Sequence, residues 1–324
     1  MNNLVEIQNE NPMAVVALVA LQDKANEYMS HSKADNTLKA YRCDWSHFTD
    51  WCNNHGLQSL PATAEVIAAY LVDMVEKNYK AATIERRLIS IAKAHTTAGY
   101  EDITKTPLVK ETWKGIRRSI GTAQREKSPA VTSDIKAMLN TLPSNLLGIR
   151  DRALLLIGFA GGFRRSELVN LDVENLNFTR EGLIITITKS KTDQEQQGRK
   201  IGIPYGSCCE SCPVRSLQLW LEQSVILTGP VFRSVNRHGN LQEGRLSDKA
   251  VALIVKRCAE SAGLNPDNYS GHSLRSGMAT SAAMNGASER QIMKQTGHKS
   301  EQMVRKYIRE GSLFLNNAAC SLGL

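Results

Sequence analysis

The sequence predicts a mainly α-helical protein of two domains, with a small β-sheet in the second domain. At 324 residues the chain is longer than one small hydrophobic core usually organises. Residues 121–129 are polar and lack apolar periodicity, which is typical of a linker. Two runs rich in β-branched residues, 183–188 and 201–204, predict a pair of strands among otherwise helical patterns. The predicted divisions are a tail with a short helix at 1–30, a helical domain at 31–119, a linker at 120–130 and a second domain at 131–324.

The charge balance favours a polyanionic partner, although only weakly. Lys and Arg number 40 against 32 Asp and Glu, which gives a formal charge of +8. Basic side chains release condensed counterions when they contact a nucleic-acid backbone, so this excess suits DNA. Many basic proteins nevertheless bind no polyanion, and the charge alone does not decide the function.

The cysteines and the first residues indicate a reduced, cytoplasmic protein. The cysteines number 7, and an odd number in a long chain without a secretory signal favours free thiols over a disulfide framework. Cys208, Cys209 and Cys212 lie close together, but the sequence offers no second ligand pair for a structural zinc. The apolar run at 13–21 is too short to span a bilayer and lacks the basic residues that begin a signal peptide. We therefore expect no membrane association and no bound metal.

Helical periodicity dominates the first predicted domain. A stripe of aromatic residues recurs at steps of three and four positions, which indicates one face of a helix that Asn36 or Thr37 could cap. The stripe consists of Tyr41, Trp45, Phe48 and Trp51. Gly56 and Pro61 predict the end of this helix, and residues 62–76 predict the next one.

Two basic stretches of this domain are candidates for contact with DNA. In residues 82–98, Ile84, Leu88 and Ile91 define a buried face, and the basic residues largely fall elsewhere, while a second basic group surrounds Trp113. The candidates are Arg86, Arg87, Lys93, Lys114, Arg117 and Arg118. Most charged faces are simply solvated, whereas a helix that lies across a DNA groove has the same pattern. The residues alone leave both interpretations open.

Local signals divide the second predicted domain into helices. Helices are predicted at 133–142, 147–159 and 164–170, and the glycine pair at 161–162 separates the last two. Nearer the C-terminus, the predicted signals are a helix end at Gly286, a capping box formed by Ser288 and Gln291, a helix end at Gly297, and a helix start at Ser300.

A set of residues in this domain has the pattern expected for phosphodiester cleavage without a metal. Such cleavage needs an in-line nucleophile, cations that neutralise the non-bridging oxygens, and an acid that protonates the leaving oxygen. In chain order the residues are Arg164, Lys191, His272, Arg275, His298 and Tyr307. Arg164 begins a helix after the glycine pair, and the three-residue spacing of His272 and Arg275 places both on one helical face.

Each of these residues also has an ordinary structural interpretation. A tyrosine beside Val304 and Ile308 is usually a core residue with a satisfied hydroxyl, and Arg164 with Glu167 could be a surface pair. An isolated His-x-x-Arg is common. The complete set favours the catalytic interpretation, because chance rarely produces all of its members in one order with these gaps.

This set resembles the active-site signature of the tyrosine recombinases, the phage-integrase family. The layout is similar to the Cre and Xer branches, in which a helical core-binding (SAM-like) domain precedes the catalytic domain and the two clamp DNA. The resemblance extends from about residue 32 to the C-terminus. Phe163 stands where the family often has leucine, and His298 is the commoner family residue where the Cre branch has tryptophan.

The resemblance implies the reaction. Tyr307 would attack the scissile phosphate, form a 3′-phosphotyrosyl bond and release a 5′-hydroxyl. Arg164 and Arg275 would hold the non-bridging oxygens, because the planar guanidinium matches phosphate and stays charged. Lys191 would protonate the leaving oxygen. The resemblance implies no metal and no cofactor. Ligation needs no ATP, because the covalent bond keeps the energy of the phosphodiester.

Three further roles follow from the same resemblance. His272 would help to deprotonate the tyrosine, His298 would hydrogen-bond the phosphate, and Glu167 would orient an active-site side chain. Residues 313–324, apolar with small residues, could form a helix that docks into a neighbouring protomer or an ordinary cap within the chain.

The resemblance also implies partners and a setting. The chain would bind duplex DNA at an inverted-repeat site, as a monomer when free and as a homo-tetramer in a synaptic complex that passes through a Holliday junction. It would act in the cytoplasm, encoded by a bacterium or by a phage, plasmid or transposon. Two other functions share parts of the pattern: relaxation of DNA by a type IB topoisomerase, and sequence-specific DNA binding by a regulator that has lost cleavage.

Overall fold

A computed structural model of the protein describes residues 35–123, 126–188, 198–298 and 300–311, together with Leu21, Lys24, Tyr28 and Leu322. The chain divides into two compact units, Met1–Gln124 and Arg125–Leu324. Helices predominate in both, and the small β-sheets lie in the second unit, as the sequence predicts. Among the described helices, none is long and apolar enough to cross a membrane.

The described part of the first unit consists of helices around one hydrophobic core. They are α1 (Asp35–Asn54), α2 (Ala64–Glu76), α3 (Ala81–Thr97) and α4 (Pro107–Ile120), with a short 3-10 helix at Ile103–Lys105. The aromatic stripe of α1 faces this core as predicted, since Phe48 and Trp51 are buried and Trp45 packs against the cluster. Asn36 and Thr37 lie inside α1, so the prediction that one of them caps the helix is wrong.

The structure corrects the position predicted for Arg87 in α3. Ile84 and Ile91 are buried as expected, but Arg87 is also buried, with 8% of its surface exposed. Its guanidinium carbon lies 4.4 Å from the centroid of the Tyr79 ring, and its Nε atom lies 3.7 Å from the carboxylate of buried Asp44. Arg87 therefore does not belong to the exposed basic face expected of this helix, because its charge is compensated inside the unit.

The second unit continues with helices around a larger core. They are α5 (Thr132–Asn140), α6 (Leu146–Ala160), α7 (Arg165–Val169), α8 (Pro213–Ser224), α9 (Asp248–Ser261), α10 (Gly271–Met284), α11 (Glu289–Thr296) and α12 (Glu301–Gly311), with 3-10 turns at Val173–Asn175 and Pro266–Asn268. Helix α6 is buried on nearly all sides because it is apolar around most of its circumference. Packed against α8, it supports the glycine turn that follows Ala160.

The β-structure of the second unit forms two antiparallel sheets. The first contains β1 (Leu176–Phe178), β2 (Gly182–Ile187) and β3 (Arg199–Pro204) in that order, and its β2–β3 pairing is the one predicted. The second is a hairpin of β4 (Arg233–Val235) and β5 (Leu241–Arg245). The sequence did not predict β1 or this hairpin, because these strands are short and mostly polar or half-exposed, without clear alternation.

The C-terminal helices follow the predicted local signals. Ser288 and Gln291 form the capping box of α11, and Gly297 ends that helix with φ of +69°. Gly286, with φ of +78°, follows α10. A small separate core joins α10, α11 and α12 through Ala279, Ala283, Ile292, Val304 and Tyr307. Tyr307, which the sequence analysis identifies as the candidate nucleophile, therefore also helps to hold α12 against α10.

Candidate active site

Glu167 lies between two arginines at the amino end of α7. The backbone N–H of Arg164 donates to Oε2 of Glu167 at 3.0 Å, and Nη1 of Arg164 donates to Oε1 at 2.6 Å. Arg199, at the start of β3, donates from Nη2 to the same Oε2 at 3.4 Å. Glu167 is 2% exposed, so both guanidinium groups compensate a buried charge. The contact with Arg164 is the one expected of a residue that orients an active-site side chain.

Arg275 is a buried cation without a carboxylate partner among the described residues. Only 1% of its surface is exposed, and Nη1 donates to the carbonyl oxygens of Gly162 and Thr296, each at 2.6 Å. Its Nη2 atom is buried and has no hydrogen-bond partner within the described part of the chain. A buried charged donor without a partner costs free energy unless an acceptor reaches it. This geometry suits an anionic ligand whose oxygen binds Nη2.

His298 lies in the short turn between α11 and α12, as the sequence predicts. It is 7% exposed, and its Nδ1 atom lies 2.7 Å from Oγ1 of Thr296. Thr296 is thus a partner of two site residues, since its carbonyl also accepts from Arg275. The left-handed conformation of Gly297 makes this tight turn possible.

Helices α10 and α12 bring His272 to Tyr307. The Nε2 atom of His272 lies 3.0 Å from Oη of Tyr307. Tyr307 is 8% exposed, whereas His272, in the first turn of α10, is only partly buried and keeps more of its surface exposed. The Tyr307 ring centroid lies 5.8 Å from that of His298. The candidate nucleophile therefore lies next to both candidate histidines.

Burial and the neighbouring cations keep both histidines neutral. Burial, reinforced by Arg275 and Arg164, lowers the pKa of His298 to about 3. Partial burial, followed by the same two arginines, lowers the pKa of His272 below its usual value. Burial and Arg164 also lower the pKa of Arg275, to about 10, so this arginine remains charged at neutral pH. A neutral imidazole beside a tyrosine hydroxyl can accept its proton.

Most of the tail with a short helix predicted at 1–30 lies outside the described residues, and so do two predicted features of the second unit. One is Lys191, which belongs to the loop between β2 and β3. The other is the proposed docking segment at 313–324, of which only Leu322 is described. The strands that flank the loop are described, and Ile187 at the end of β2 pairs with Arg199 at the start of β3.

The structure adds residues to the cluster that the sequence did not indicate. Arg199 contacts Glu167, Thr296 contacts His298, and the side chain of Gln295 donates to the carbonyl of Ala160 at 2.9 Å. Arg199 stands in a strand where it resembles any outward-facing basic residue. The register of β2 and β3 is the signal that could have indicated Arg199, because Arg199 begins the strand that follows the predicted lysine in the sequence.

The cysteine cluster lies apart from these residues. Cys208 and Cys209 are exposed free thiols and line a cavity of about 730 Å³ together with Arg152 and Arg215, while Cys212 is buried. None of the predicted site residues lines this cavity. Across the described residues, no group of three or more His, Cys, Asp or Glu side chains is placed to hold a metal ion.

The other basic candidates of the first unit are exposed. Arg86 is exposed, although its guanidinium also donates to buried Asp44 at 2.7 and 2.9 Å. The remaining exposed candidates are Lys93, Lys114, Arg117 and Arg118. The last two lie in the final turn of α4, so their charges are available to a partner of this unit.

Family models and curated relatives match most of the chain. The model described as "Phage integrase family" matches residues 131–312, and "Phage integrase, N-terminal SAM-like domain" matches residues 26–99. An "Integrase/recombinase xerD homolog" from Selenomonas ruminantium is 46% identical over 299 residues, 91% of this chain and 87% of the relative. A "Tyrosine recombinase XerC" from Syntrophus aciditrophicus (strain SB) is 30% identical over 247 residues, 75% of this chain and 74% of the relative.

Solved structures share the fold at lower identity. A Tn1549 transposon integrase in complex with transposon right end DNA has a TM-score of 0.63 at 15% identity, covering 87% of this chain and 92% of that one. A lambda integrase dimer bound to a COC′ core site has a TM-score of 0.60 at 19% identity, covering 89% and 93%. These likenesses concern the fold alone. The catalytic family model and the relative at 46% identity decide the membership: the chain belongs to the phage integrase family of tyrosine recombinases.

Proposed function

We propose that this chain is a site-specific recombinase that cuts and rejoins duplex DNA through a 3′-phosphotyrosyl bond to Tyr307. The contact of 3.0 Å between the Tyr307 hydroxyl and Nε2 of His272 carries the proposal. Arg275 lies within electrostatic reach of the same tyrosine and has a buried nitrogen to offer a phosphate oxygen. A base beside the nucleophile and a fixed cation are two of the needs of metal-free cleavage. The names of the curated relatives support the same activity.

The two arginines bind the scissile phosphate and stabilise its transition state. Arg275 offers Nη2, and Arg164, half-buried and held by Glu167, presents the second guanidinium. Charge-assisted hydrogen bonds in a partly desolvated site are stronger than the same bonds in water. Because both cations are fixed by the protein, little reorganisation is needed when negative charge develops on the non-bridging oxygens.

One histidine accepts the proton of the nucleophile, and the other helps to position the phosphate. His272 takes the Tyr307 proton on Nε2 as the phenolic oxygen attacks phosphorus. His298 hydrogen-bonds a phosphate oxygen through Nε2, while its Nδ1 atom lies 2.7 Å from the hydroxyl oxygen of Thr296. Lys191 gives a proton to the departing 5′-oxygen. In rejoining, the 5′-hydroxyl attacks the phosphotyrosine and gives its proton to Lys191, and Tyr307 leaves as His272 returns the proton to the phenolic oxygen.

The domain organisation follows from this activity. Residues 31–119 form the core-binding domain, 120–130 the linker, and 131–324 the catalytic domain. Both domains contact one inverted-repeat DNA site, the first through the exposed residues Arg86, Lys93, Lys114, Arg117 and Arg118. Four protomers on two sites exchange strands through a Holliday junction, and the free chain is a monomer in the cytoplasm. The segment at 313–324 docks into the neighbouring protomer.

A suicide substrate tests the proposal. Duplex sites are first selected by the wild-type chain from random DNA, and a nick is placed a few nucleotides beyond the scissile phosphate. The short fragment with the 5′-hydroxyl then diffuses away, which traps the covalent protein–DNA adduct on a denaturing gel. Binding without an adduct would leave the chain a DNA-binding regulator. Relaxation of any supercoiled plasmid without sequence preference would favour a topoisomerase.

A further inference from the structure

Arg199 lies where the β2–β3 hairpin meets the active-site cluster. It is the first residue of β3 and pairs with Ile187, the last residue of β2. The chain between these two residues includes Lys191. A contact that fixes Arg199 therefore fixes the base of the loop to which the acid of the proposed reaction belongs.

The guanidinium of Arg199 binds two other segments at once. Its Nη2 atom donates to Oε2 of Glu167 in α7 at 3.4 Å, and its Nη1 atom donates to the carbonyl of Gln295 in α11 at 3.0 Å. The side chain is 22% exposed, so these contacts are less screened by water than those of a surface arginine. One side chain thus joins β3, α7 and the end of α11.

The end of α11 supports two proposed active-site groups. Thr296 follows the Gln295 carbonyl bound by Arg199. Its own carbonyl accepts from Arg275 at 2.6 Å, and its hydroxyl oxygen lies 2.7 Å from Nδ1 of His298. The side chain of Gln295 adds a second link to β3. A shift of this segment would therefore move Arg275 and His298 together.

The described part of the cluster contains three guanidinium groups and one carboxylate, that of Glu167. Arg164 and Arg199 both bind Glu167, while Arg275 has no carboxylate partner among the described residues. The surplus positive charge suits a phosphodiester. The donors of Arg199 that make these contacts point to Glu167 and Gln295, so its influence on the phosphate passes through its neighbours.

We propose that Arg199 is a positioning residue that locks the base of the β2–β3 hairpin to Glu167, and through it to Arg164, and to the turn that holds Arg275 and His298. This inference rests on the proposed recombinase function. Arg199 acts without touching the reacting atoms. A misplacement of about 1 Å at such a site can lower a rate about 100-fold.

The test compares Arg199→Ala and Arg199→Lys with a matched control, Arg233→Ala. Arg233 also begins a strand and donates to backbone carbonyls, those of Pro230 and Thr228, but it contacts no site residue. For each variant, the single-turnover rate of adduct formation on the nicked duplex and the Kd for the same duplex are measured. Arg199→Ala is expected to slow adduct formation about 10- to 100-fold and to change Kd less than about threefold.

The conservative variant and a double variant separate positioning from mere stability. Arg199→Lys should recover part of the rate, because an ammonium can bind Glu167 but cannot also hold the Gln295 carbonyl in the same geometry. It also serves as the test if the alanine variant fails to fold. Arg199→Ala combined with Glu167→Gln should slow the reaction by less than the product of the two single effects, since part of the action of Arg199 passes through Glu167.

Several results would overturn the inference. A rate for Arg199→Ala equal to that of Arg233→Ala would remove any special role, and an equal loss of rate and affinity would make Arg199 a DNA contact. Fully multiplicative effects in the double variant would mean that Arg199 does not act through Glu167. Absence of an adduct with the wild-type chain would sink the proposed function itself, whereas an adduct that is indifferent to Arg199 would sink this inference alone.

Discussion

The Nε2 atom of His272 lies 3.0 Å from the Oη atom of Tyr307, although 35 positions separate the two residues in the chain. The contact exists because α12 packs on α10 through a small core that includes the tyrosine ring. Partial burial of His272, followed by the charges of Arg275 and Arg164, lowers its pKa, so the ring is neutral at pH 7 and able to take a proton. One chain therefore supplies both the proposed nucleophile and its base.

Tyr307→Phe should bind DNA normally and form no adduct. The change removes only the attacking oxygen and leaves the aromatic ring in the core with Ala279, Ile292 and Val304. Mobility shift and suicide-substrate assays on the same duplex measure the two properties. An adduct formed by the phenylalanine variant would show that another residue is the nucleophile.

Arg275→Ala should retain DNA affinity within about tenfold and almost abolish cleavage, because the guanidinium serves the transition state more than the bound state. Removal of the side chain also leaves the carbonyls of Gly162 and Thr296 without their donor. Each unpaired buried group costs about 1–3 kcal/mol, so the free energy of unfolding should fall as well.

Arg275→Lys separates these two effects. It keeps a charge that can bind one of the two carbonyls but lacks the planar fork. We expect better stability than in the alanine variant and cleavage that is still strongly impaired. If the lysine variant cleaves at the wild-type rate, the site needs only a positive charge at this position.

Stability should fall as the pH is lowered, partly because of His298. Its pKa is about 3 in the folded protein, below the usual value of 6.5 that an unfolded chain would have. Between these values the unfolded state binds a proton that the folded state refuses, so folding loses free energy as the pH falls. Urea unfolding at pH 7 and pH 5 measures the loss.

His298→Gln provides the control for this pH effect. The amide does not titrate, so the variant should lose less stability than the wild type between the two pH values. An identical loss in both proteins would show that His298 is not held neutral by its surroundings.

Features that depend on neighbouring positions could be predicted from the sequence. The capping box at Ser288, the left-handed glycine at Gly297 and the aromatic stripe that buries Phe48 each involve residues within a turn or two of one another. The pairing of β2 with β3 was also predictable, because two short runs of β-branched residues flank one polar loop. Local rules were enough for these elements.

Features that depend on distant contacts were missed. Arg87 has the same place in a helical pattern as a solvated arginine, and its burial depends on the carboxylate of Asp44 and the ring of Tyr79, both outside its own helix. Arg199 and Glu167 are 32 positions apart, and nothing near either residue indicates the other. Tertiary packing decides whether two charges that are distant in the sequence form a pair. The periodicity of apolar residues along the sequence carries no information about that packing.

Arg117→Gln combined with Arg118→Gln should weaken DNA binding and lower its salt dependence. Both side chains are exposed in the last turn of α4, so their loss should leave the fold intact. Each lost phosphate contact should reduce the slope of log affinity against log salt by about 1. Binding measured at several salt concentrations gives the slope.

Arg87→Met is the matched control from the core of the same unit. It removes one of the two arginines that contact buried Asp44 among the described residues, and should therefore cost about 1–3 kcal/mol of stability. Its effect on the salt slope should be small. If Arg87→Met reduces the slope of log affinity against log salt more than the double variant in α4 does, Arg87 contacts DNA.

Gly297→Ala should slow adduct formation more than Gly286→Ala, although both glycines have a positive φ. The φ angles are +69° and +78°, and a side chain in this region costs about 1–2 kcal/mol at either position. The surroundings differ, because a Cβ atom at 297 would lie 2.7 Å from the guanidinium carbon of Arg199, whereas nothing lies within 4 Å at 286. The first variant must therefore displace Arg199, and the second need not.

Because backbone strain is similar in the two glycine variants, the difference between their reaction rates reports the displacement of Arg199. Thermal unfolding should report similar losses for both variants, while the single-turnover rate on the nicked duplex should fall further for Gly297→Ala. Combining Gly297→Ala with Arg199→Ala should slow the reaction little beyond Arg199→Ala alone, since the displaced group is already absent. Equal rates for the two glycine variants would mean that the guanidinium can move aside without disturbing Arg275 or His298, and that the contacts of Arg199 do not matter to cleavage.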